Sequence, residues 1–311
     1  MKNIAIAIHG GAGTITKASL TPEKEGAYKN ALKEAVEAGH QLLARGGSAL
    51  DAVEVAVASM EDTPLFNAGK GVVFTNEGRH EMDAAVMWGK TLEAGAVASV
   101  RSIKNPVKLA RAVMEHSEFV LLGSYGAEEF ARTQAIDFMP QEYFYDAYRY
   151  KQWIEALESG SVSLDHFEKK EKKFGTVGAV AVDAKGNVAA ATSTGGLTNK
   201  KYNRIGDSPL IGAGTYANNH TCAVSCTGTG EFFIRAVAAY DISCLMEYKG
   251  YTLQQACEEV VMHKLVKLGG EGGLIAITSA GDIALPFNSE GMYRASKKNE
   301  EDTYTAIYKD K

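Results

Sequence analysis

Only four cysteines occur among the 311 residues, at positions 222, 226, 244 and 257. So few thiols exclude a small disulfide-stapled fold, and no second close pair joins Cys222 and Cys226 to complete a metal site. Buried, reduced thiols in a cytoplasmic protein are expected. Long apolar runs are missing too: none approaches the roughly 20 residues that cross a bilayer, so no membrane partner is expected. The opening Met1-Lys2-Asn3 leads into five apolar residues that stop at His9, too short a stretch for a secretory signal. Charge of one sign is also absent. Lys and Arg number 33 against 38 Asp and Glu, and the densest lysine group (169, 170, 172, 173) is interrupted by Glu168 and Glu171. Nucleic acid is therefore not an expected partner. What remains is a mildly acidic globular chain, 45% apolar, with core enough for one large domain or two modest ones.

Glycine is plentiful, 32 against only 6 prolines. It clusters at Gly10-Gly11-Ala12-Gly13, Gly46-Gly47, Gly195-Gly196, Gly228-Thr229-Gly230 and residues 269–273, which read as turns. Residues 4–8 are apolar at every position, the pattern of a strand covered on both faces. Thr21-Pro22-Glu23 predicts a helix start, and Gly46-Gly47 its stop. Ser48 with Asp51 opens a second helix. Short strands are predicted at residues 71–75 and 95–100, and a helix after Asn105-Pro106. An aromatic stretch, Tyr143 to Trp153, predicts a helix. It gives way to Gly160-Ser161 and the charged residues 165–173, so residues 158–175 read as a flexible linker. Beyond it, residues 176–182 and 188–192 form a hairpin about the turn 183–187, and a second hairpin spans residues 274–285. Helices are predicted at 231–248 and 253–268, the latter capped by Thr252 and Gln255. Hairpins packed on long amphipathic helices imply an α+β class.

The familiar catalytic templates fail: no GxSxG elbow, HExxH pair, Walker loop or strand-led GxGxxG is present. The histidines at 40, 80, 116, 166, 220 and 263 are scattered without ligand spacing, and His9 beside its glycines has no assigned chemistry. One junction stands out. The linker ends at Phe174-Gly175, and Thr176 begins a strand. Read from composition, Thr176 is either an ordinary strand residue or a latent nucleophile. In the second case its hydroxyl attacks the Gly175 carbonyl, an N-to-O acyl shift and hydrolysis cut the chain, and Thr176 acquires a free α-amine. Such an amine titrates at about 7.7–8.0, so near neutrality it can serve as the base without a histidine. The 192–196 cluster follows the return strand of the same hairpin. The 225–230 cluster offers backbone N–H groups to an oxyanion, or is plain turn chemistry. Arg204 and Asp207 match the carboxylate and ammonium of a free amino acid, or form a surface ion pair.

Taken in order, these residues resemble the plant-type (type III) L-asparaginases, also called isoaspartyl or β-aspartyl peptidases, of the N-terminal-nucleophile hydrolase superfamily. The likeness runs through Ile8 to Gly13, Phe66 to Gly71, Glu81 to Ala84, Gly175 to Val180, Thr192 to Asn199, Arg204 to Pro209, Thr227 to Glu231, residues 269–277 and residues 288–294. It implies an αββα sandwich, cleavage between Gly175 and Thr176 into an α subunit (1–175) and a β subunit (176–311) that form one domain, and a dimer of such αβ units. It implies hydrolysis of L-asparagine and of β-aspartyl dipeptides with no catalytic cofactor. By carry-over Thr176 is the nucleophile, Thr194 assists it, Thr227 and Gly228 form the oxyanion hole, and Arg204 and Asp207 hold substrate. Gly230 lines that pocket, and Asn67 lies near the cleavage site. A structural sodium ion is implied on the main-chain carbonyls of Met60, Glu61, Thr63, Phe66, Ala68 and Lys70. Glycosylasparaginase and an unprocessed metabolite-binding protein are the alternatives. Lys200-Lys201-Tyr202-Asn203 departs from the family's Leu-Pro-Gly run and is expected to reshape the pocket entrance.

Overall fold

The computed structural model describes residues 3–160 and 175–309. The strand expected at residues 4–8 is β1 (Ala5–Gly13), and it runs further than the sequence suggested. Its glycine cluster is not a turn but a bulge between His9 and Ala12. Glycine permits it: Gly11 has φ +111°, and a Cβ on Gly10 would lie 2.4 Å from the Phe66 ring. Helix α1 (Pro22–Ala44) starts as predicted, with Thr21 Oγ1 accepting from Lys24 N. Ser48 likewise caps α2 (Ala49–Glu61), its Oγ accepting from Asp51 N at 3.1 Å. Residues 71–75 do not form the expected strand. Phe74 and Thr75 make isolated bridges with His80 and Lys200, because a 3-10 turn at Gly69–Gly71 swings the chain away from any continuous neighbour.

Among the strands missed by the sequence reading is β2 (Met82–Trp88), and β3 (Ala94–Val100) follows it. Helix α3 (Pro106–His116), the short β4 (Leu121–Gly123) and α4 (Ser124–Arg132) come next. The aromatic stretch is not one helix: it divides into a 3-10 turn, Gln141–Phe144, and α5 (Ala147–Glu158), which Asp146 caps. The split brings Tyr145, Tyr150 and Trp153 around the Phe74 ring. Most of the segment read as a linker, residues 161–174, lies outside the described residues.

Beyond it, β5 (Val177–Val182) and β6 (Val188–Thr194) form the expected hairpin. Asp183 Oδ1 organises the turn by accepting from the N–H groups of Lys185 and Asn187. Two short strands, β7 (Thr215–Ala217) and β8 (Ala223–Gly228), precede α6 (Gly230–Ala236) and α7 (Ala238–Lys249). These helices were expected to be continuous; Val237, at φ +49°, breaks them apart. The break frees the N–H groups of Ala239 and Tyr240 to reach the carbonyls of Ala213 and Gly212. Helix α8 (Leu253–Glu258) carries the predicted Thr252–Gln255 capping box and continues as a π-helix, Glu259–Leu265. Strands β9 (Gly272–Ile277) and β10 (Ile283–Ala284) form the second hairpin, and β11 (Gly291–Lys298) and β12 (Tyr304–Tyr308) end the fold.

The result is a mixed α/β architecture with two sheets. The larger has the order β12-β11-β1-β5-β6-β2-β3-β4, the smaller β10-β9-β8-β7. Every ladder is antiparallel except β3–β4. Alternation along each strand assigns the faces. Ile4, Ile6, Ile8, Val177, Ala179 and Ala191 pack with Leu32, Val36, Val53 and Val57 of α1 and α2. Ala5, Ala7, Val180 and Ala190 turn the other way, against Ala223, Ile275 and Ile277 of the smaller sheet. That sheet's far face packs Val224, Cys226 and Leu274 with Phe233, Ile242 and Val260. Each fully buried Ile, Leu or Val adds about 1.5–3 kcal/mol, and small alanines let the two sheets approach closely. Cys222, Cys226 and Cys257 are buried in this interior, and all four thiols are free.

Candidate active site

The inward face that carries Val180 and Ala190 deeper in the interior carries polar residues at its other end. By the same alternation Thr176 and Gly178 of the β5 line, Thr192 and Thr194 of β6, His9 of β1, and Ser225 and Thr227 of β8 all face the space between the sheets. Thr176 Oγ1 donates to Thr194 Oγ1 at 3.1 Å, and Thr194 Oγ1 also accepts from Gly196 N at 3.0 Å. Gly175, Thr176, Thr194, Gly196, Arg204, Asp207 and Gly228 line one narrow pocket.

Asn67 lies hard against the Gly175–Thr176 junction. A Cβ on Gly175 would stand 2.3 Å from Asn67 Cβ, so the closeness excludes any larger residue there. Asn67 is pinned by its own bonds: Nδ2 donates to the Gly196 carbonyl at 2.8 Å, and Oδ1 accepts from Val73 N at 3.0 Å. Thr227 Oγ1 accepts from Ala12 N at 3.3 Å. Gly228 follows it in β8, facing Gly272 across the ladder, and a Cβ there would meet the Glu271 carbonyl at 2.5 Å.

His9 is the residue the sequence left without chemistry. It is fully buried, with Nδ1 3.1 Å from the Thr176 carbonyl oxygen and Nε2 3.0 Å from Ser225 Oγ. A carbonyl can only accept, so Nδ1 carries the proton and Nε2 receives one from Ser225. Burial pushes the imidazole down to about 3 against the opposing bond to Thr176, which keeps the ring neutral. The donors then run in one direction: Thr215 to Thr192 and Thr192 to Ser225, both at 2.7 Å, then Ser225 to His9 and His9 to Thr176. Gly178 makes the chain possible, since a Cβ there would lie 2.0 Å from Ser225 Oγ and 2.5 Å from His9 Nε2. No local signal could reveal this, because its members come from β1, β6, β7 and β8 and from Thr176 at the head of β5. The other described histidines keep the bland roles foreseen for them. His80, for one, is buried with Nδ1 3.3 Å from the Val73 carbonyl.

Arg204 and Asp207 stand side by side around Gly230, where a Cβ would be 2.8 Å from both Arg204 Nη2 and Asp207 Oδ1. They are not a surface ion pair with each other. Asp207 is buried, and its Oδ2 has no hydrogen-bond partner among the described residues. Burial pushes its carboxyl up to about 7, partly offset by the Arg204 charge. Arg204 is engaged instead by Glu231, through Nε to Oε1 and Nη2 to Oε2, each at 2.8 Å.

The 200–203 departure is only partly a rim feature. Tyr202 is 97% exposed, but Lys200 is buried, its Nζ donating to the Glu81 carbonyl at 3.2 Å. Lys200 also lies against Gly196, and its charge favours the ionised form of buried Asp83, the cross-strand neighbour of Thr194. Glu81 further binds Arg101 at 2.7 Å and Asn203 at 3.3 Å, tying this loop to the start of β2. Burial raises the Asp83 carboxyl above its ordinary value, and the Lys200 charge offsets this only in part. Tyr202 thus projects into solvent, while Lys200 buries its aliphatic stem and its ammonium finds oxygen.

The loop after α2 contains the residues expected to hold a cation. Gly69 has φ +54°, and a Cβ there would lie 2.4 Å from the Glu61 carbonyl oxygen. At Gly71 a Cβ would lie 2.0 Å from the Phe66 carbonyl oxygen and 2.6 Å from that of Pro64. Glycine is thus required at both positions, where main-chain oxygens pack close. The Glu61 side chain is a separate matter: burial pushes it up to about 8, against the bond its Oε1 accepts from Val107 N.

The profile of the asparaginase family matches residues 2–307. An isoaspartyl peptidase of Salmonella typhimurium is 55% identical over 313 residues, covering 100% of both chains. One from Escherichia coli is 54% identical, covering 100% of this chain and 98% of the relative. An isoaspartyl peptidase/L-asparaginase of Xenopus laevis is 42% identical, covering 95% of this chain and 93% of the relative. With a pocket built around the Gly175–Thr176 junction and these full-length likenesses, the chain belongs to the asparaginase family of hydrolases.

Proposed function

We propose that this chain is an autoprocessed threonine amidohydrolase that converts L-asparagine to L-aspartate and ammonia and cleaves β-aspartyl dipeptides. The names of its relatives support both activities. The observation that carries the reading is the single pocket in which Gly175, Thr176, Thr194, Arg204, Asp207 and Gly228 meet.

In processing, the Thr176 hydroxyl adds to the Gly175 carbonyl carbon and the C–N bond breaks, leaving an ester on Oγ1 and a free amine. Water cleaves the ester, so Gly175 ends an α subunit and Thr176 begins a β subunit. Until then the Thr176 nitrogen is a peptide nitrogen with no basic lone pair; afterwards it is an amine beside an alcohol. In turnover that amine takes the proton from Oγ1 as the oxygen attacks the side-chain carbonyl of the aspartyl unit. Ammonia, or the amino end of the second residue, departs with the proton. Water then resolves the acyl-enzyme and restores the threonine. Thr194 holds Oγ1 in line, and Thr227 and Gly228 receive the oxyanion. Arg204 takes the substrate's α-carboxylate. Asp207, with an unpartnered oxygen, takes its α-ammonium. Asn67 packs Gly175 into a single approach path.

The loop after α2 suits a hard monovalent cation, which the main-chain carbonyls of Met60, Glu61, Thr63, Phe66, Ala68 and Lys70 would hold. Its part would be to stiffen the loop that positions Asn67, and no bond-making step needs it. The two sheets and their helices are proposed to be the αββα sandwich of N-terminal-nucleophile hydrolases. By the same likeness two αβ units pair into a cytoplasmic heterotetramer.

The test is Thr176→Ala, with intact mass and two assays. Wild type should give fragments 1–175 and 176–311 and hydrolyse both substrates. The variant should remain one inactive chain, and two bands from it would end the proposal. Turnover of a glycosylated asparagine in place of a β-aspartyl dipeptide would shift the assignment to glycosylasparaginase.

A further inference from the structure

The Arg204–Glu231 pair deepens the reading just given and rests on it. Arg204 presents two edges. Its Nε–Nη2 edge is filled by both Glu231 carboxylate oxygens, each at 2.8 Å. The Nη1 end remains, facing backbone where side chains are absent. A Cβ on Gly206 would lie 2.8 Å from Nη1, and one on Gly196 3.7 Å from it. Gly196 and Gly206 line the Thr176 pocket with Arg204. So the carboxylate is on one edge of the guanidinium and the pocket is at the other end. The Arg204 side chain is 18% exposed while that of Glu231 is 50% exposed, so the clamp points inward and its support stands outside. Burial tends to raise the Glu231 carboxyl, but the hydrogen bond and charge of Arg204 more than reverse this, so the pair stays ionised near neutrality.

We infer that Glu231 is a positioning residue for substrate recognition: it grips Arg204 from the solvent side and aims the guanidinium's free end at the substrate's α-carboxylate. The alternative geometry, in which Glu231 is a decoy that substrate must displace, would require the substrate to bind the Nε edge. Gly196 and Gly206, which line the Thr176 pocket, lie at the Nη1 end, while Gly230 lies at Nη2. A bidentate pair fixes the plane of a guanidinium, and a planar fork held in place loses less freedom when its remaining N–H groups bind a second anion. The arrangement also leaves the site one charge negative. With Asp207 ionised, Glu231, Asp207 and Arg204 sum to one negative charge, where Arg204 and Asp207 alone would be neutral. The amino-acid end of the substrate brings one charge of each sign. Glu231 therefore keeps Arg204 from turning inward onto Asp207, whose oxygen must stay open for the ammonium.

The test uses Glu231→Ala and Glu231→Gln in the full chain. Processing into two fragments shows that each variant folds and cuts itself. For Glu231→Ala, KM for L-asparagine should rise about tenfold with kcat within about twofold, the scale of one lost aligning ion pair. Glu231→Gln keeps one acceptor for the Nε–H and should recover about half of that loss on a logarithmic scale. A second readout isolates the α-carboxylate. Inhibition by L-aspartate should weaken about tenfold in Glu231→Ala, while inhibition by β-alanine, which lacks the α-carboxylate, should not change. If KM is unchanged or falls, or if both inhibitors weaken equally, Glu231 does not aim Arg204 and the inference fails. Should Glu231→Ala not fold, the same two comparisons in Glu231→Gln decide it. Wild-type protein that neither cuts itself nor hydrolyses asparagine would instead overturn the function on which this rests.

Discussion

Thr176 and Asp207 carry opposite lessons about a single residue's surroundings. As the proposed nucleophile, Thr176 depends on becoming something else, an amine-bearing terminus. Asp207 depends on being kept short of a partner. Its buried carboxyl is raised to about 7 from an ordinary 3.8, because burial outweighs the Arg204 charge. Binding an ammonium needs the ionised form. The inhibition constant for L-aspartate should therefore fall as pH rises, by up to tenfold per unit below about 7, and level off above it. Asp207→Asn should weaken binding and flatten the dependence. A slope unchanged in that variant would place the titration elsewhere. The same shift acts on folding in the opposite sense. The native state holds a proton that the unfolded chain releases, so this group's contribution is full below pH 3.8 and is lost as pH climbs through about 7. An enzyme that gains affinity across the range where it loses a little stability is one whose site is costly to keep empty.

Between α6 and α7 the chain makes its most awkward local choice. Val237 is β-branched, 45% exposed, and sits at φ +49° and ψ +47°. Left-handed backbone costs an ordinary residue about 1–2 kcal/mol and a β-branched one more. The apolar pattern on either side gave no hint of a break, since both helices bury residues against the same sheet face. What decides the break is tertiary: the N–H groups of Ala239 and Tyr240 go to Ala213 and Gly212, behind the Arg204–Asp207 loop. Val237→Gly should therefore raise stability by about 1 kcal/mol, the relief of strain exceeding the added freedom of the unfolded chain. A thermal midpoint about 1–2 °C higher with unchanged KM is the expected result. A lower midpoint would mean that Val237's contacts outweigh its strain.

The larger sheet interleaves the two halves of the molecule. Read across β12-β11-β1-β5-β6-β2-β3-β4, strands from beyond residue 176 flank β1 on both sides and then adjoin β2. Cutting at Gly175–Thr176 breaks no ladder. The fragments should co-migrate in native gel filtration and part only in denaturant, while separation at native pH and low denaturant would contradict this topology. Among the described residues, no helix is long and apolar enough to cross a membrane.

Much of this was legible beforehand, and the reasons are local. Caps at Thr21, Ser48 and Thr252 work within four residues, so their helices begin where the sequence says. The 176–192 hairpin is encoded by its own turn, and ordered motifs pointed to the family and to residues that meet in one pocket. Other features escaped because they join distant parts of the chain. β2 is buried on both faces and shows no alternation to read. The His9–Ser225 chain needs Gly178 to be empty space. Lys200 looked like a surface base until Glu81 supplied a carbonyl. Sequence alone determined which atoms could react in the proposed cleavage, since the Thr176 hydroxyl and the Gly175 carbonyl are covalent neighbours. Only the tertiary structure decided which groups surround them, because strand pairing brings residues more than a hundred positions apart within one hydrogen bond.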